Sequence, residues 1–253
     1  MAHKEMTNQT QIELSKKLRE ISGIVFNKEG KLFCHDDERA AIYQIDPFNG
    51  EILKVFTFGL FVKRGDFEDI TMAGDTFYMV ESDGRIYEFR EGADKEQVDY
   101  KVYETDLDND SNVEGICYDP DENTLLLALK GKPGDGLDEK DNRAVYSFSL
   151  ATKKLNPRPR FVLDKNIILK ESKEKDFAPS AITYNPANDH FYITAAVGNI
   201  MVEINRQGKI VSLTKLNRKL HEQPEGIAFK DSQHLYISDE GKKHGTLTIY
   251  EID

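Results

Sequence analysis

The chain has 253 residues, 39% of them apolar and 31% charged, with a formal net charge of −11. That apolar share excludes a disordered chain, and the length admits one large all-β domain or two small ones. The acidic balance repels phosphate backbones, and the most basic stretch, Lys153-Lys154 with Arg158 and Arg160, reads as a solvated loop, so nucleic acid is not an expected partner.

No stretch reaches the roughly 20 apolar residues of a membrane span. Residues 1–20 lack the apolar centre of a secretory signal, which leaves a cytoplasmic protein or one exported after loss of a leader. A monomer is expected. Cys34 and Cys117 sit in apolar strand-like segments without metal-ligand spacing, as free buried thiols do, with a disulfide as the alternative.

In chain order, residues 11–15 alternate as a short strand with no partner nearby. Then a unit begins that recurs five times. The first copy, 18–60, opens on Ser22-Gly23-Ile24, turns at Asn27 to Gly30, and continues with strands at 32–34, 41–45 and 52–56. The second, 61–105, opens on Glu68-Asp69-Ile70 and predicts strands at 77–80, 85–89 and 98–102. The third, 106–165, opens on Glu114-Gly115-Ile116, with strands at 125–128, 144–148 and 160–163. The fourth, 174–216, opens on Ser180-Ala181-Ile182, with strands at 191–194, 200–204 and 210–213. The fifth, 220–253, opens on Glu225-Gly226-Ile227 and predicts strands at 235–238 and 247–251, with no fourth strand.

A four-strand unit repeating about every 45 residues is the signature of propeller blades. The expectation is therefore an all-β fold, a single five-bladed β-propeller with four-stranded blades spanning 1–253. Residues 11–15 supply the strand missing from the fifth blade and close the ring, which removes its exposed edges. The third copy is longer by a Gly- and Pro-rich segment at 131–142 and by 156–159 and 165–176, read as surface loops that pack no core.

The repeat residues resemble the SdiA-regulated family of bacterial β-propellers, akin to propellers of the phytase-like and NHL types. The likeness runs from about residue 18 onward. Its motifs are Asn112-Val113-Glu114-Gly115-Ile116-Cys117-Tyr118-Asp119, the run from Leu125 to Lys132, Phe177-Ala178-Pro179-Ser180-Ala181-Ile182, and Gln223-Pro224-Glu225-Gly226-Ile227-Ala228-Phe229. The resemblance implies the propeller fold and a calcium or small-ligand site, and says little about a reaction.

Equivalent repeat positions meet around a propeller axis, so the register names candidate site residues. The first position of the triplet gathers Glu68, Glu114 and Glu225 with Ser22 and Ser180. The exit of each second strand supplies Asp36, Asp37, Glu81, Asp239 and Glu240, with Lys130 in the third copy. Clustered carboxylates raise one another's pKa or recruit a cation, and hard oxygen donors suit calcium or magnesium. Glu68, Glu114, Glu225, Asp36, Glu81, Asp239 and Glu240 are thus candidate metal ligands. Asp37, Arg39, Arg64, Arg85, Lys130 and Arg143 are candidates for holding a small ligand. No organic cofactor is expected.

A structural alternative is that the glutamates accept N–H bonds from neighbouring blades, as repeated interfaces require. His35 and His221 read as ordinary core or surface histidines, and no Gly-x-Ser-x-Gly elbow or phosphate-cradling loop occurs. The sequence therefore favours a non-enzymatic binding propeller. The alternatives are a metal-dependent hydrolase of a phosphate ester or lactone, and a scaffold that binds a protein through the third-copy loops.

Overall fold

Each repeat folds into its own antiparallel sheet, and the five sheets stand in a ring. The computed structural model describes residues 2–3, 6, 8–59 and 62–252, residues 2–3 by backbone alone. The expected domain limits at 1 and 253, and the boundary of the first two repeats at 60–61, lie outside the described residues.

Blade 1 comprises, from the axis outward, Ile21–Phe26, Leu32–Asp36, Arg39–Ile45 and Ile52–Phe58. Blade 2 comprises Phe67–Ala73, Thr76–Glu81, Ile86–Arg90 and Tyr100–Tyr103. Blade 3 comprises Val113–Asp119, Thr124–Leu129, Asn142–Ser149 and Phe161–Asp164, and blade 4 comprises Ala181–Asn185, His190–Ala195, Ile200–Ile204 and Ile210–Lys215. Blade 5 takes Pro224–Phe229, His234–Asp239 and Thr246–Glu251 from one end of the chain and Gln9–Glu13 from the other. The closing strand pairs antiparallel with the last one, Ile12 opposite Leu247. It lies two residues earlier than the alternation at 11–15 suggests.

The innermost strands of successive blades touch all the way round, blade 5 on blade 1 included. Five apolar clusters fill the five seams between them. This explains the recurrent Ile. Ile70, Ile116, Ile182, Ile227 and Ile24 each point into the seam with the preceding blade. Seam 1–2 is aromatic: Phe33, Phe56, Phe58, Phe67, Phe77, Tyr87 and Phe89 interlock there, with Phe33 and Phe77 edge to face at 5.0 Å. Each such ring contributes about 2–3 kcal/mol by burial.

The glycine before Ile116 and before Ile227 is a matter of space. A Cβ on Gly115 would lie 2.9 Å from the Ile182 nitrogen, and one on Gly226 2.5 Å from the Ser22 carbonyl oxygen. At these two positions the neighbouring blade approaches too closely for a side chain.

Three details differ from the sequence expectation. Residues 98–102 do not form one strand: Gln97–Val98 adds in parallel to the outer edge of blade 1, and the chain then crosses to blade 2 at Tyr100. Residues 2–3 similarly add in parallel to the outer strand of blade 4. Part of the expected loop 165–176 is a helix, Lys165–Ser172, with Asp164 accepting N–H bonds from Asn166 and Ile167 as its N-cap. Its Ile168 is wholly buried in seam 3–4, so this insertion does contribute to the core.

Candidate functional site

At the end of the axis where the innermost strands begin, here the upper face, Glu68, Glu114 and Glu225 converge from blades 2, 3 and 5. Burial, then the charges of Glu114, Asp66 and Glu225, push the Glu68 carboxyl up to about 9. Burial, then Glu114, push Glu225 up to about 8. Glu114, only 5% exposed, is also raised by burial, against the opposing pull of the Lys130 ammonium 2.8 Å away and the Asn112 amide at 2.9 Å. Burial works to lower Lys130, but Glu114, Glu225 and Glu68 outweigh it and raise its pKa. The mouth thus gathers three carboxyl groups around one ammonium. Glu240 extends it outward, acting electrostatically on both Glu225 and Asp37.

The blade-to-blade bonds are made by other residues. Ser22 Oγ donates to the Glu68 carbonyl across seam 1–2, and Ser180 Oγ donates to the Pro224 carbonyl at 2.6 Å across seam 4–5. Ser238 Oγ donates to the Ser22 carbonyl at 2.8 Å across seam 5–1. Seam 2–3 uses Asp69, whose carboxylate accepts from the N–H of Ile70 at 2.8 Å and of Ile116 at 2.9 Å. Only a donor can satisfy a carbonyl, so serine serves these seams and an ionised glutamate cannot. The structural role suggested for the Glu of the triplet therefore falls to Ser22, Ser180 and Asp69. Among the described residues, the side chains of Glu68, Glu114 and Glu225 make no hydrogen bond to a neighbouring blade's backbone N–H.

The second register does not join the mouth as a ring. Second strands stand one step off the axis, and their exit residues turn into their own blades. Glu81, buried, accepts from the Tyr87 hydroxyl at 2.7 Å and pairs with Lys63 at 3.1 Å and Arg85 at 3.0 Å. Asp239, buried, faces His221 Nδ1 at 2.8 Å, and His221 Nε2 meets the Tyr250 hydroxyl at 2.6 Å. Both carboxylates tie the loop before an innermost strand to the third strand of the same blade. Lys130 of this register does face the mouth, and of its acids among the described residues Glu240 reaches the mouth electrostatically, through Glu225. Asp36 and Asp37 instead stand with Glu20 at its edge, where one oxygen from each lies within 4.8 Å of the others. This is the tight carboxylate group among the described residues; Glu68, Glu114 and Glu225 are spaced more widely. Burial, then Asp36, Glu240 and Glu38, push Asp37 up to about 6.

Of the candidate cations, Lys130 alone faces the three glutamates. Arg85 is held by Asp83 and Glu81, and Arg143, buried, donates to the Glu139 and Asn142 carbonyls. Arg39 and Arg64 are exposed neighbours on a backbone bridge. Both histidines belong to the core: His35 Nε2 accepts from the Gly23 N–H at 3.1 Å, and burial lowers its pKa to about 4. Cys34 and Cys117 are free and buried. Lys153 pairs with Glu88 across seam 2–3, so part of the basic run seen in the sequence serves the fold.

Sequence reasoning missed Asp69, the one acid among the small residues of the triplet's second position. Its departure from Gly was the available signal. It also missed Asn112, Asp66 and Gln223, which lie just before innermost strands and outside the repeated triplet.

Solved structures of similar shape are propeller proteins. A glutaminyl cyclase from Myxococcus xanthus aligns with a TM-score of 0.64 at 12% identity, covering 99% of each chain. A luciferin-regenerating enzyme aligns with a TM-score of 0.59 at 10% identity, covering 97% of this chain and 96% of its own. A virginiamycin B lyase from Staphylococcus aureus aligns with a TM-score of 0.52 at 15% identity, covering 92% of this chain and 66% of its own. At these identities the likeness is one of fold. No curated protein matches the chain. The sequence profile of one family, however, matches residues 2–243, and with the five-bladed ring and its repeated triplets in place the chain belongs to the SdiA-regulated family.

Proposed function

We propose that this protein is a binding propeller whose upper axial mouth takes up a cation, with calcium or magnesium as the ions its donors suit. One observation carries this: three glutamates from three separate blades converge around the Lys130 ammonium, and among the described residues their carboxyl groups bond no neighbouring blade's backbone N–H. The donors are all hard oxygens, which fits calcium or magnesium rather than a thiophilic metal. Glu68, Glu114 and Glu225 would hold the ion, with water completing a shell that their wider spacing leaves open.

Glu68 and Glu225, raised to about 9 and about 8, hold protons at neutral pH. A bound cation stabilises their ionised forms, so uptake releases protons. The test is calorimetric titration with calcium and with magnesium in two buffers of different ionisation heat. Binding with proton release is expected, and its loss in the Glu68→Gln, Glu225→Gln double variant. Absence of heat and of any thermal shift at millimolar metal would remove the reading.

A second reading draws on the same residues. Protonated Glu68 beside the ion-paired Glu114 sets a proton donor next to an acceptor, the arrangement that acid–base catalysis uses. Propellers of similar shape include a cyclase and a lyase. A metal-stimulated rate in a panel of esters, lactones and phosphate esters, abolished by Glu68→Gln, would favour a hydrolase over a binding protein.

A further inference from the structure

Away from the axis, at the upper end of seam 5–1, a groove of about 940 Å³ is lined by Lys16, Lys17, Arg19, Arg39, Lys242 and Lys243, with Glu20, Asp36 and Glu38 as its acids. Six cations against three carboxylates is a local reversal of a chain whose net charge is −11. Glu20 is already engaged by Arg19, and the Asp36 carboxylate accepts the Glu38 N–H at 3.1 Å. Among the described residues, Lys16, Lys17, Arg39, Lys242 and Lys243 have no ion-pair partner.

The two lysine pairs come from opposite ends of the chain and are held in fixed relation. Ser15 caps the short helical turn Lys16–Leu18, and Leu18 is fully buried beneath it. The Gly241 N–H donates to the Arg19 carbonyl at 3.0 Å, and the Leu14 N–H to the Gly245 carbonyl at 2.9 Å. His244 Nδ1 bonds the Leu14 carbonyl at 3.1 Å. A Cβ on Gly245 would lie 2.2 Å from the Leu18 carbonyl oxygen, so the two segments are in direct backbone contact. Backbone bonds thus bring the two lysine pairs to one groove, where a bound anion could be met by both.

We infer that this groove, which borders the axial mouth at Glu20 and Asp36, is a second ligand site, and that it takes a soluble small molecule bearing several phosphate groups. The volume lies within the range of small-ligand sites. Clustered ammonium and guanidinium groups match the several oxygens and multiple charges of a polyphosphate better than a single carboxylate.

The probe is inorganic tripolyphosphate, titrated calorimetrically into the whole protein against sulfate at matched ionic strength. Saturable binding is expected, weakened about tenfold or more by Lys242→Glu with Lys243→Glu, and likewise by Lys16→Glu with Lys17→Glu. Glu68→Gln is expected to leave it unchanged, which keeps this site distinct from the mouth. All four lysines are exposed, so circular dichroism and melting temperature should match wild type. No binding, sulfate binding equally well, or binding undiminished in both double variants would overturn the proposal. Sedimentation with vesicles containing anionic phospholipid, without tripolyphosphate binding, would overturn it in favour of a membrane surface.

Discussion

The Asp69 carboxylate of blade 2 accepts the Ile116 N–H of blade 3 at 2.9 Å, next to the axis. It fills space that Gly23 of blade 1 leaves open, since a Cβ on Gly23 would lie 2.3 Å from Asp69 Oδ1. Three blades are fitted to one another by this side chain. Asp69→Asn turns a donor toward one of two backbone N–H groups and is expected to cost about 1–3 kcal/mol. Gly23→Ala should cost a similar amount by forcing the blades apart. Urea denaturation of both variants measures this, and a wild-type midpoint for either would show that the contact is dispensable.

Stability should fall as pH rises through the neutral range. A carboxyl whose folded pKa exceeds its unfolded value binds its proton more tightly in the folded state. For Glu68 the window runs from the ordinary 4.5 up to about 9, and for Glu225 up to about 8. Stability is therefore greatest below the lower limit and is lost progressively toward the upper one. Glu68→Gln removes one ionising group, so its gain over wild type should be larger at pH near 9 than near 5. Denaturant midpoints at the two pH values check the sign.

Lys130 is the counterweight of the mouth. Its side chain is 40% exposed, so the pair with Glu114 is screened, and Lys130→Met should cost only about 1 kcal/mol at neutral pH. The same change removes the charge that favours ionisation of all three glutamates. Proton release on calcium uptake should then increase, as read by titration in paired buffers.

Glu81 belongs to the fold. Replacing it with Ala leaves Lys63, Arg85 and the Tyr87 hydroxyl without their shared partner, and a loss of about 3 kcal/mol is expected. Calcium affinity at the mouth should stay at the wild-type value. A double-mutant cycle with Tyr87→Phe should show coupling, because the two side chains touch.

Cutting the chain before residue 14 removes Gln9–Glu13 and bares the outer edge of blade 5. An open edge invites pairing between molecules. The truncated protein should melt lower and show larger species on size-exclusion chromatography, whereas an unchanged elution profile would show that the edge is protected in another way.

The blades were legible because their physics repeats. The Ile of each triplet enters one seam, and the turn after it is built from Asn, Asp, Pro and Gly, so five copies reinforce one another. The convergence of Glu68, Glu114 and Glu225 followed from the same register. Repetition could not reveal which way a side chain turns. Glu81 and Asp239 share a register with Asp36, yet Tyr87 and His221 draw the first two into their own blades. Nor could it reveal neighbours made by closure. Lys16-Lys17 and Lys242-Lys243 are ordinary as separate pairs and meet only because Gln9–Glu13 joins the last blade. The helix at Lys165–Ser172 hid for a third reason: its buried face is small, with Ile168 as its one buried apolar residue.

Because Gln9 pairs with Tyr250, and Ile12 with Leu247, one sheet cannot be completed until all five repeats have been synthesised. During translation the Gln9–Glu13 strand must wait without its hydrogen-bonding partner while four blades assemble behind it. The slow step of biogenesis should then be ring closure rather than formation of any single blade, and the interval before it is when the nascent chain most needs a chaperone.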